Sequence, residues 1–167
     1  ASMLNARLVM RLGMRRLAID AEKGTAWAET GLTAGEYTTA ASAHGLATGF
    51  GDTASVGIGG ITLGGGVGYL LRKHGMTIDQ LLAAELVLAN GELVRVDAGS
   101  HPDLFWAIRG GGGNFGVITS FLFQAHPVQT VVGGPMLWQL EQTTEILRWY
   151  SRYHPSAPDT VYGFPAM

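Results

Sequence analysis

The strongest constraint on this chain is a glycine-rich run at residues 49–75, GFGDTASVGIGGITLGGGVGYLLRKHG. Glycine loses more backbone entropy on folding than any other residue, so a dense run persists where φ must be positive or where something approaches the main chain closely. The chain has 25 glycines among 167 residues, about twice the usual share of roughly 7%. Two explanations stay open. The amides of a loop at 57–68 could line a flat or anionic ligand before a helix N-terminus, or two backbones could pack closely there.

Composition limits the classes of partner. Apolar residues make up 47% and charged residues 14% of the chain, against about 25% charged in a typical domain. We therefore expect deep burial, or a covering segment that this chain does not supply. The net charge of −2 and the absence of a Lys/Arg run argue against nucleic-acid binding, which relies on clustered cations.

The sequence also argues against a membrane or secretory protein. It contains no run of about 18 apolar residues and no basic-then-apolar leader, so neither a membrane span nor a signal peptide is expected. A cytoplasmic location is favoured over a secreted one. The chain has no cysteine, which excludes disulfides, thiolate catalysis and cysteine-based metal sites.

Runs of apolar and β-branched residues between turn residues predict several strands. In the first 127 residues the predicted strands lie at 8–10, 15–20 and 25–30, within a hairpin at 83–97, and at 117–126. Asn90-Gly91 predicts a type I′ turn in the hairpin, and Pro127 stops the last strand.

Capping residues and glycines predict the helices. Those of the first 127 residues lie at 34–44, 67–74 and 102–109, and they end before Gly45, Gly75 and Gly110. Thr33 and Glu36 form a capping box for the first helix. Ser100 is predicted as the N-cap of the third helix, with Pro102 near its first turn.

The order of elements changes near Val128. A strand at 131–140, a helix at 141–154 and the start of a strand at 160–164 predict a β-α-β unit. We therefore divide the chain into a first domain at 1–127 and the beginning of a second at 128–167.

Most motif matches fail when their structural context is considered. Residues 111–116, GGGNFG, satisfy G-x-G-x-x-G, but a helix precedes them and a strand follows, the reverse of a Rossmann turn. Ser55 lacks the first glycine of a nucleophile elbow and is interpreted as a hydrogen-bonding loop residue. No metal site is predicted, because five histidines are scattered without ligand spacing and suit surface or cap roles. They are His44, His74, His101, His126 and His154.

Two long segments carry a resemblance to a known family. GLATGFGDTASVGIGGITLGGGVGYLLRKHGMTIDQLLAAELVLANGELV and HPDLFWAIRGGGGNFGVITSFLFQAHPV resemble the FAD-linked oxidases related to berberine bridge enzyme and 6-hydroxynicotine oxidase. The resemblance runs from about Leu8 to the end of the chain. It implies the vanillyl-alcohol-oxidase fold, of α+β class. The chain would be the second subdomain of a PCMH-type FAD-binding domain plus the first β-α-β of the substrate domain, truncated at both ends and lacking the family's Arg-x-Gly-Gly-His pyrophosphate loop.

The resemblance also implies a cofactor site for FAD. The residues that match the family's flavin contacts are Gly51, Asp52, Ser55, Val56, Gly57, Gly59, Gly60, Gly64 and Val117. Thr53 stands at the cysteine position of the family's Cys-Pro-Thr-Val-Gly segment, where it cannot form a thioether to the flavin. Ile61 replaces a histidine that many members carry. Phe105, Trp106 and Phe115 are predicted to be core residues rather than a stacking platform.

The implied activity is oxidation of a carbon that bears a hydroxyl or an amine in a small-molecule substrate. The hydride goes to flavin N5, and molecular oxygen is the expected acceptor. The catalytic residues are unknown, because the family places most of them further along the chain. The alternative is a catalytically incomplete scaffold that uses an exposed apolar face for a protein partner, a complementary chain segment or self-association.

Overall fold

The computed structural model describes residues 13–128 and 130–166. The strand predicted at 8–10 lies outside these residues. Strands β1 (Leu17–Asp20) and β2 (Thr25–Glu29) lie within the predicted strands at 15–20 and 25–30, and they pair antiparallel as a hairpin. Gly24 ends the turn at a φ of +62°, which favours glycine.

A five-stranded antiparallel sheet forms the centre of the fold. Its other strands are β4 (Leu81–Val87), β5 (Leu93–Asp97) and β6 (Val117–Gln124), and the strand order is β1-β2-β6-β4-β5. Buried and more exposed residues alternate along β2 and β5, as expected for a sheet with one covered face. The predicted hairpin at 83–97 and the predicted strand before Pro127 are therefore confirmed.

The covered face packs on helix α1 (Ala34–Ser42). The predicted capping box is present: Glu36 N–H donates to Thr33 Oγ1 at 3.3 Å, and Thr33 N–H donates to a Glu36 carboxylate oxygen at 2.9 Å. The chain leaves the helix through Gly45, at a φ of +67°. It then forms the short strand β3 (Leu46–Ala47), which pairs with β7 (His126–Pro127).

The turn between β4 and β5 differs from the predicted type I′. That type needs positive φ at both central residues, and within the described chain His101 is the only non-glycine residue with a positive φ. Gly91 has a φ of +85°, and its N–H donates to Leu88 O at 2.9 Å. Asn90 instead accepts from Glu92 N–H through its side chain at 3.0 Å, so a local side-chain bond fixes the turn.

Two helix predictions are corrected within the glycine run. Helix α2 (Ile58–Leu63) lies where a loop at 57–68 was predicted, because tertiary contacts override the low helix propensity of glycine. Helix α3 spans only Leu71–His74 instead of 67–74. It ends at Gly75 as predicted, with a φ of +83°.

The third predicted helix is α4 (Pro102–Ile108), followed by Gly110 at a φ of +107°. Its N-cap is His101, at a φ of +51°, and not Ser100. Ser100 N–H donates to Asp97 Oδ1 at 2.8 Å. Asp97 thus holds Ser100 in the preceding turn, and the helix starts one residue later.

After residue 128 only the helical part of the predicted β-α-β unit is found. Helix α5 (Thr143–Tyr153) lies between two single 3-10 turns, Leu140–Gln142 and His154–Ser156. The strand predictions at 131–140 and 160–164 are wrong, because neither range pairs with a strand in the part of the chain that the structure describes. The domain boundary at 127/128 stays a prediction. No helix in the described part of the chain is long and apolar enough to cross a membrane.

Candidate functional site

The two glycine-rich segments meet in the fold. Helix α2 packs against the 3-10 turn Gly112–Asn114, which belongs to the second segment. All but one of the predicted flavin contacts lie on α2, at its ends, or in the loop that precedes it. Val117, the exception, is the first residue of β6 and follows the second segment directly. The fold thus brings the two segments to one place, as the resemblance implies.

The loop before α2 is exposed, and two of its carbonyl groups accept hydrogen bonds from the first turn of α1. Ala54 O accepts from Gly35 N–H at 2.9 Å, and Val56 O accepts from Ala34 N–H at 2.8 Å. These bonds tie the loop to the first turn of α1. The N–H groups of Ser55 and Gly57 have no acceptor among the described residues, so they remain available to a ligand.

The start of α2 supplies further free donors. The first amides of any α-helix lack intrahelical acceptors, and they carry a partial positive charge. Ile58 N–H is used, because it donates to Leu32 O at 3.0 Å. Gly59 and Gly60 N–H have no acceptor within residues 13–128 and 130–166. Together with Gly57, they form a small set of main-chain donors suited to an oxygen-rich anionic group.

Packing leaves little room for a side chain at two of the predicted glycines. A Cβ on Gly51 would lie 2.9 Å from Ile61 Cδ1, and one on Gly59 would lie 3.3 Å from Thr30 Cβ. At Gly64, the C-cap of α2, a Cβ would lie 3.4 Å from Gly60 O, which is an ordinary contact, so packing does not require glycine there.

Gly57 is different. Its φ of −71° suits any residue, and a Cβ built on it meets no atom of the described chain within 4 Å. Neither backbone conformation nor internal packing therefore requires glycine at this position. A ligand that approaches the main chain closely does explain it.

Close backbone packing explains the glycines that follow α2. A Cβ on Gly66 would overlap the Thr77 side chain, and one on Gly68 would lie 2.5 Å from Phe50 O. In the second segment, a Cβ on Gly116 would lie 2.6 Å from Val87 O. The two explanations left open by the sequence therefore both apply, at different residues: open amides around Gly57, and close backbone contact at Gly68 and Gly116.

The side chains of the loop add a few polar groups. Asp52 and Ser55 are exposed, and Asp52 accepts a hydrogen bond from Thr53 Oγ1 at 3.0 Å. The Ser55 hydroxyl has no partner in the described part of the chain. Val56 is half-buried next to it, as is Val117 on β6. Ile61, at the family's histidine position, packs against the core.

The prediction of core aromatic residues is correct for Phe105 alone. Phe105 is 8% exposed, whereas Trp106 is 79% and Phe115 41% exposed. The side chains of α4 alternate between the core and solvent, and Phe115 lies in the exposed glycine segment. The sequence shows that these side chains are large, but not whether they face the core or solvent.

Sequence reasoning missed a histidine pair. The rings of His74 and His126 stack with centroids 3.8 Å apart, and the Gln80 side chain bonds to both His74 O and His126 Nε2. Burial lowers the pKa of both imidazoles, with a smaller effect from the Lys73 charge. Their separation in sequence gives no signal of this contact. Among the described residues, no three His, Cys, Asp or Glu side chains are grouped to hold a metal ion.

Comparisons with known proteins agree with this geometry. A family model for an FAD binding domain matches residues 1–97. The FAD-linked oxidoreductase pgmH of Aspergillus terreus is 46% identical over 134 residues, 80% of this chain and 26% of pgmH.

Two solved structures show the same fold. The first is 6-hydroxy-D-nicotine oxidase of Arthrobacter nicotinovorans, with a TM-score of 0.67 and 38% identity over 68% of this chain and 25% of that protein. The second is glucooligosaccharide oxidase of Acremonium strictum, which carries a 6-S-cysteinyl, 8α-N1-histidyl FAD. It has a TM-score of 0.65 and 35% identity over 70% of this chain and 24% of its own.

Fold and site together define a PCMH-type FAD-binding domain of mixed α and β structure, and the predicted fold class is confirmed. The chain belongs to the FAD binding domain family of FAD-linked oxidoreductases, and its cofactor is FAD. It spans about a quarter of the length of the relatives named above. The alternative of a non-enzymatic interaction module gains no support from these comparisons.

Proposed function

We propose that this chain holds the flavin in an FAD-dependent oxidoreductase that oxidises a hydroxyl- or amine-bearing carbon of a small-molecule substrate. Molecular oxygen is the proposed electron acceptor. The observation that carries the proposal is Gly57, a glycine that the chain itself does not require, at the start of a helix with unused N–H groups. FAD-linked oxidoreductases among the relatives support the same reaction class.

The chain's own residues fit the cofactor by size and by donor type. Main-chain N–H groups of Gly57, Gly59 and Gly60 would bind flavin or pyrophosphate oxygens, since all three lack acceptors in the described structure. The Ser55 hydroxyl adds a side-chain donor, and Val56 offers an apolar surface to the ring. When bound, FAD supplies hydride acceptance at N5, and these residues supply binding and orientation.

We propose that the flavin is held here without a cysteinyl bond. Glucooligosaccharide oxidase carries a 6-S-cysteinyl flavin, whereas this chain has no cysteine. Thr53, at the matching position, is an exposed hydroxyl that donates to Asp52. It cannot form a thioether, so affinity at this edge depends on hydrogen bonds and packing.

The test is a titration of FAD with the purified chain, followed by flavin fluorescence. We expect saturable quenching by the wild-type chain. Gly57→Val should weaken binding at least tenfold, because its side chain fills the open space above the free amides. Gly133→Val is the matched control, since a Cβ there also meets nothing within 4 Å, and it should bind like wild type. Absence of quenching by the wild-type chain, or equal affinity of the Gly57 variant, would contradict the proposal.

A further inference from the structure

The side chain of Arg72 connects the flavin-binding part of the chain to the segment that follows α5. Arg72 lies on α3, and its guanidinium donates to His154 O at 2.6 Å and to Ala157 O at 2.7 Å. The Asp159 carboxylate lies 3.7 Å from the same group. The Arg72 side chain is only 15% exposed, so these bonds are partly shielded from water.

The two acceptors lie where a cation is favoured. His154 is the C-cap of α5, and Ala157 follows the 3-10 turn His154–Ser156. The last carbonyl groups of a helix lack intrahelical donors and carry partial negative charge. A guanidinium has several donors in one rigid plane and can reach two separate carbonyls at once. Lysine has a single ammonium group and cannot reproduce that arrangement.

Apolar burial gives α5 little other anchorage. None of its side chains is buried in the described structure, and Ala157 is the buried residue of the segment after it. Tyr69 and Tyr162 add an edge-to-face ring contact beside Arg72, with centroids 6.0 Å apart. Polar contacts therefore carry a large share of the attachment of α5 to the rest of the fold.

The other end of this connection is fixed to the glycine run. Gly68 lies against Phe50 O so closely that a Cβ would not fit, and Thr77 Oγ1 donates to Gly49 O at 2.6 Å. Residues on both sides of α3 are thus tied to Gly49 and Phe50, in the loop that leads into the site at Gly57. A movement of α5 relative to Arg72 is a movement relative to that site.

We propose that Arg72 is a positioning residue that sets the place of α5, and of the chain segment it begins, against the flavin-binding part. Docking of α5 does not need the cofactor. The consequence for catalysis, a fixed distance between the flavin and the following domain, rests on the proposed function.

Hydrogen exchange measured by mass spectrometry tests this on the whole chain. Arg72→Met should speed amide exchange at residues 143–163 at least tenfold, while exchange in β4 stays within twofold of wild type. Arg148→Met is the matched control. Arg148 is an exposed arginine of α5 whose side chain has no partner in the described residues, and its variant should exchange like wild type. Equal profiles for the two variants would overturn the proposal.

A conservative variant separates geometry from charge. Arg72→Lys keeps the charge and one donor group, so we expect exchange between that of wild type and Arg72→Met. An exchange profile of Arg72→Lys identical to that of wild type would refute the need for a guanidinium that donates to two carbonyl groups. This outcome remains decisive if Arg72→Met fails to fold. An FAD titration of the same proteins separates the two proposals: a chain that ignores FAD yet shows the exchange difference defeats the proposed function alone.

Discussion

Tyr37 forms a buried polar contact in the core, so its removal tests the account of packing. Its hydroxyl lies 2.8 Å from Thr48 Oγ1, which in turn donates to Gln124 O at 3.0 Å. The Thr48 hydrogen is thus committed, and Tyr37 is the donor of the pair. The Tyr37 ring is fully buried and meets Phe50 and Phe123 edge-on, at 4.8 and 5.9 Å between centroids.

Tyr37→Phe should keep the ring contacts and remove one buried hydrogen bond. The expected loss in free energy of unfolding is about 1–2 kcal/mol, because an acceptor on Thr48 is left without its donor. For a chain of this size this corresponds to a fall in Tm of about 3–6 °C. Tyr69→Phe is the control. Tyr69 is 55% exposed and its hydroxyl has no partner among the described residues, so its change should stay within about 0.5 kcal/mol.

The same variant should change the response to alkaline pH. Burial raises the pKa of Tyr37 to about 12, from an ordinary value of 10.0. The folded state therefore favours the neutral phenol, and this stability is present below pH 10 and lost as the pH rises towards 12. Over that window the loss is roughly 2–3 kcal/mol, and the phenylalanine variant cannot show it.

Urea unfolding at several pH values, followed by circular dichroism, measures both effects. The free-energy difference between wild type and Tyr37→Phe should fall through zero between pH 10 and 12. A Tyr37 variant as stable as wild type at neutral pH, or a difference that does not change with pH, would refute the hydrogen-bond assignment.

Two further predictions concern the histidine pair and the glycine run. Because the pKa values of His74 and His126 are lowered below the ordinary 6.5, the folded state favours neutral imidazoles, and stability should fall as the pH drops below 6.5. His126→Gln should flatten this dependence in urea unfolding at pH 5–8, and an unchanged slope would contradict it. Gly66→Ala should cost about 2–4 kcal/mol, from a positive φ and an overlap with Thr77. Gly45→Ala shares the positive φ but has open space, so in thermal unfolding it should lose only about 1–2 kcal/mol.

The sequence predicts best where the determining contacts are local. The capping box of Thr33 and Glu36 lies within one helical turn, and the helix end at Gly75 is predicted from the residues next to it in sequence. The predicted type of the turn at Asn90 was wrong, because a side-chain hydrogen bond to Glu92 competes with the expected backbone conformation.

Predictions fail where distant residues decide. Helix α2 forms in a glycine run because Leu32 accepts its first N–H and the core takes Ile58, neither of which is visible in a local window. The strand expected at 131–140 has the right residues, but no strand within residues 13–128 and 130–166 pairs with it.

The candidate site shows the same division. The resemblance gives the glycines of the site as one set, whereas the structure shows that different contacts explain different glycines. A side chain at Gly59 would crowd Thr30, whereas one at Gly57 would meet open space, although both residues lie in the same short motif and both have unused N–H groups. Only the positions of Thr30 and other distant atoms distinguish the two.

The strand order has a consequence for how the sheet assembles during synthesis. Strand β6 is the last of the five in sequence, yet it lies between β2 and β4 and pairs with both. Until Val117–Gln124 leaves the ribosome, the nascent chain holds two separate hairpins, each with an unsatisfied edge that invites wrong partners. Completion of the sheet is therefore a late event, and a translation product that stops before β6 is an aggregation-prone species.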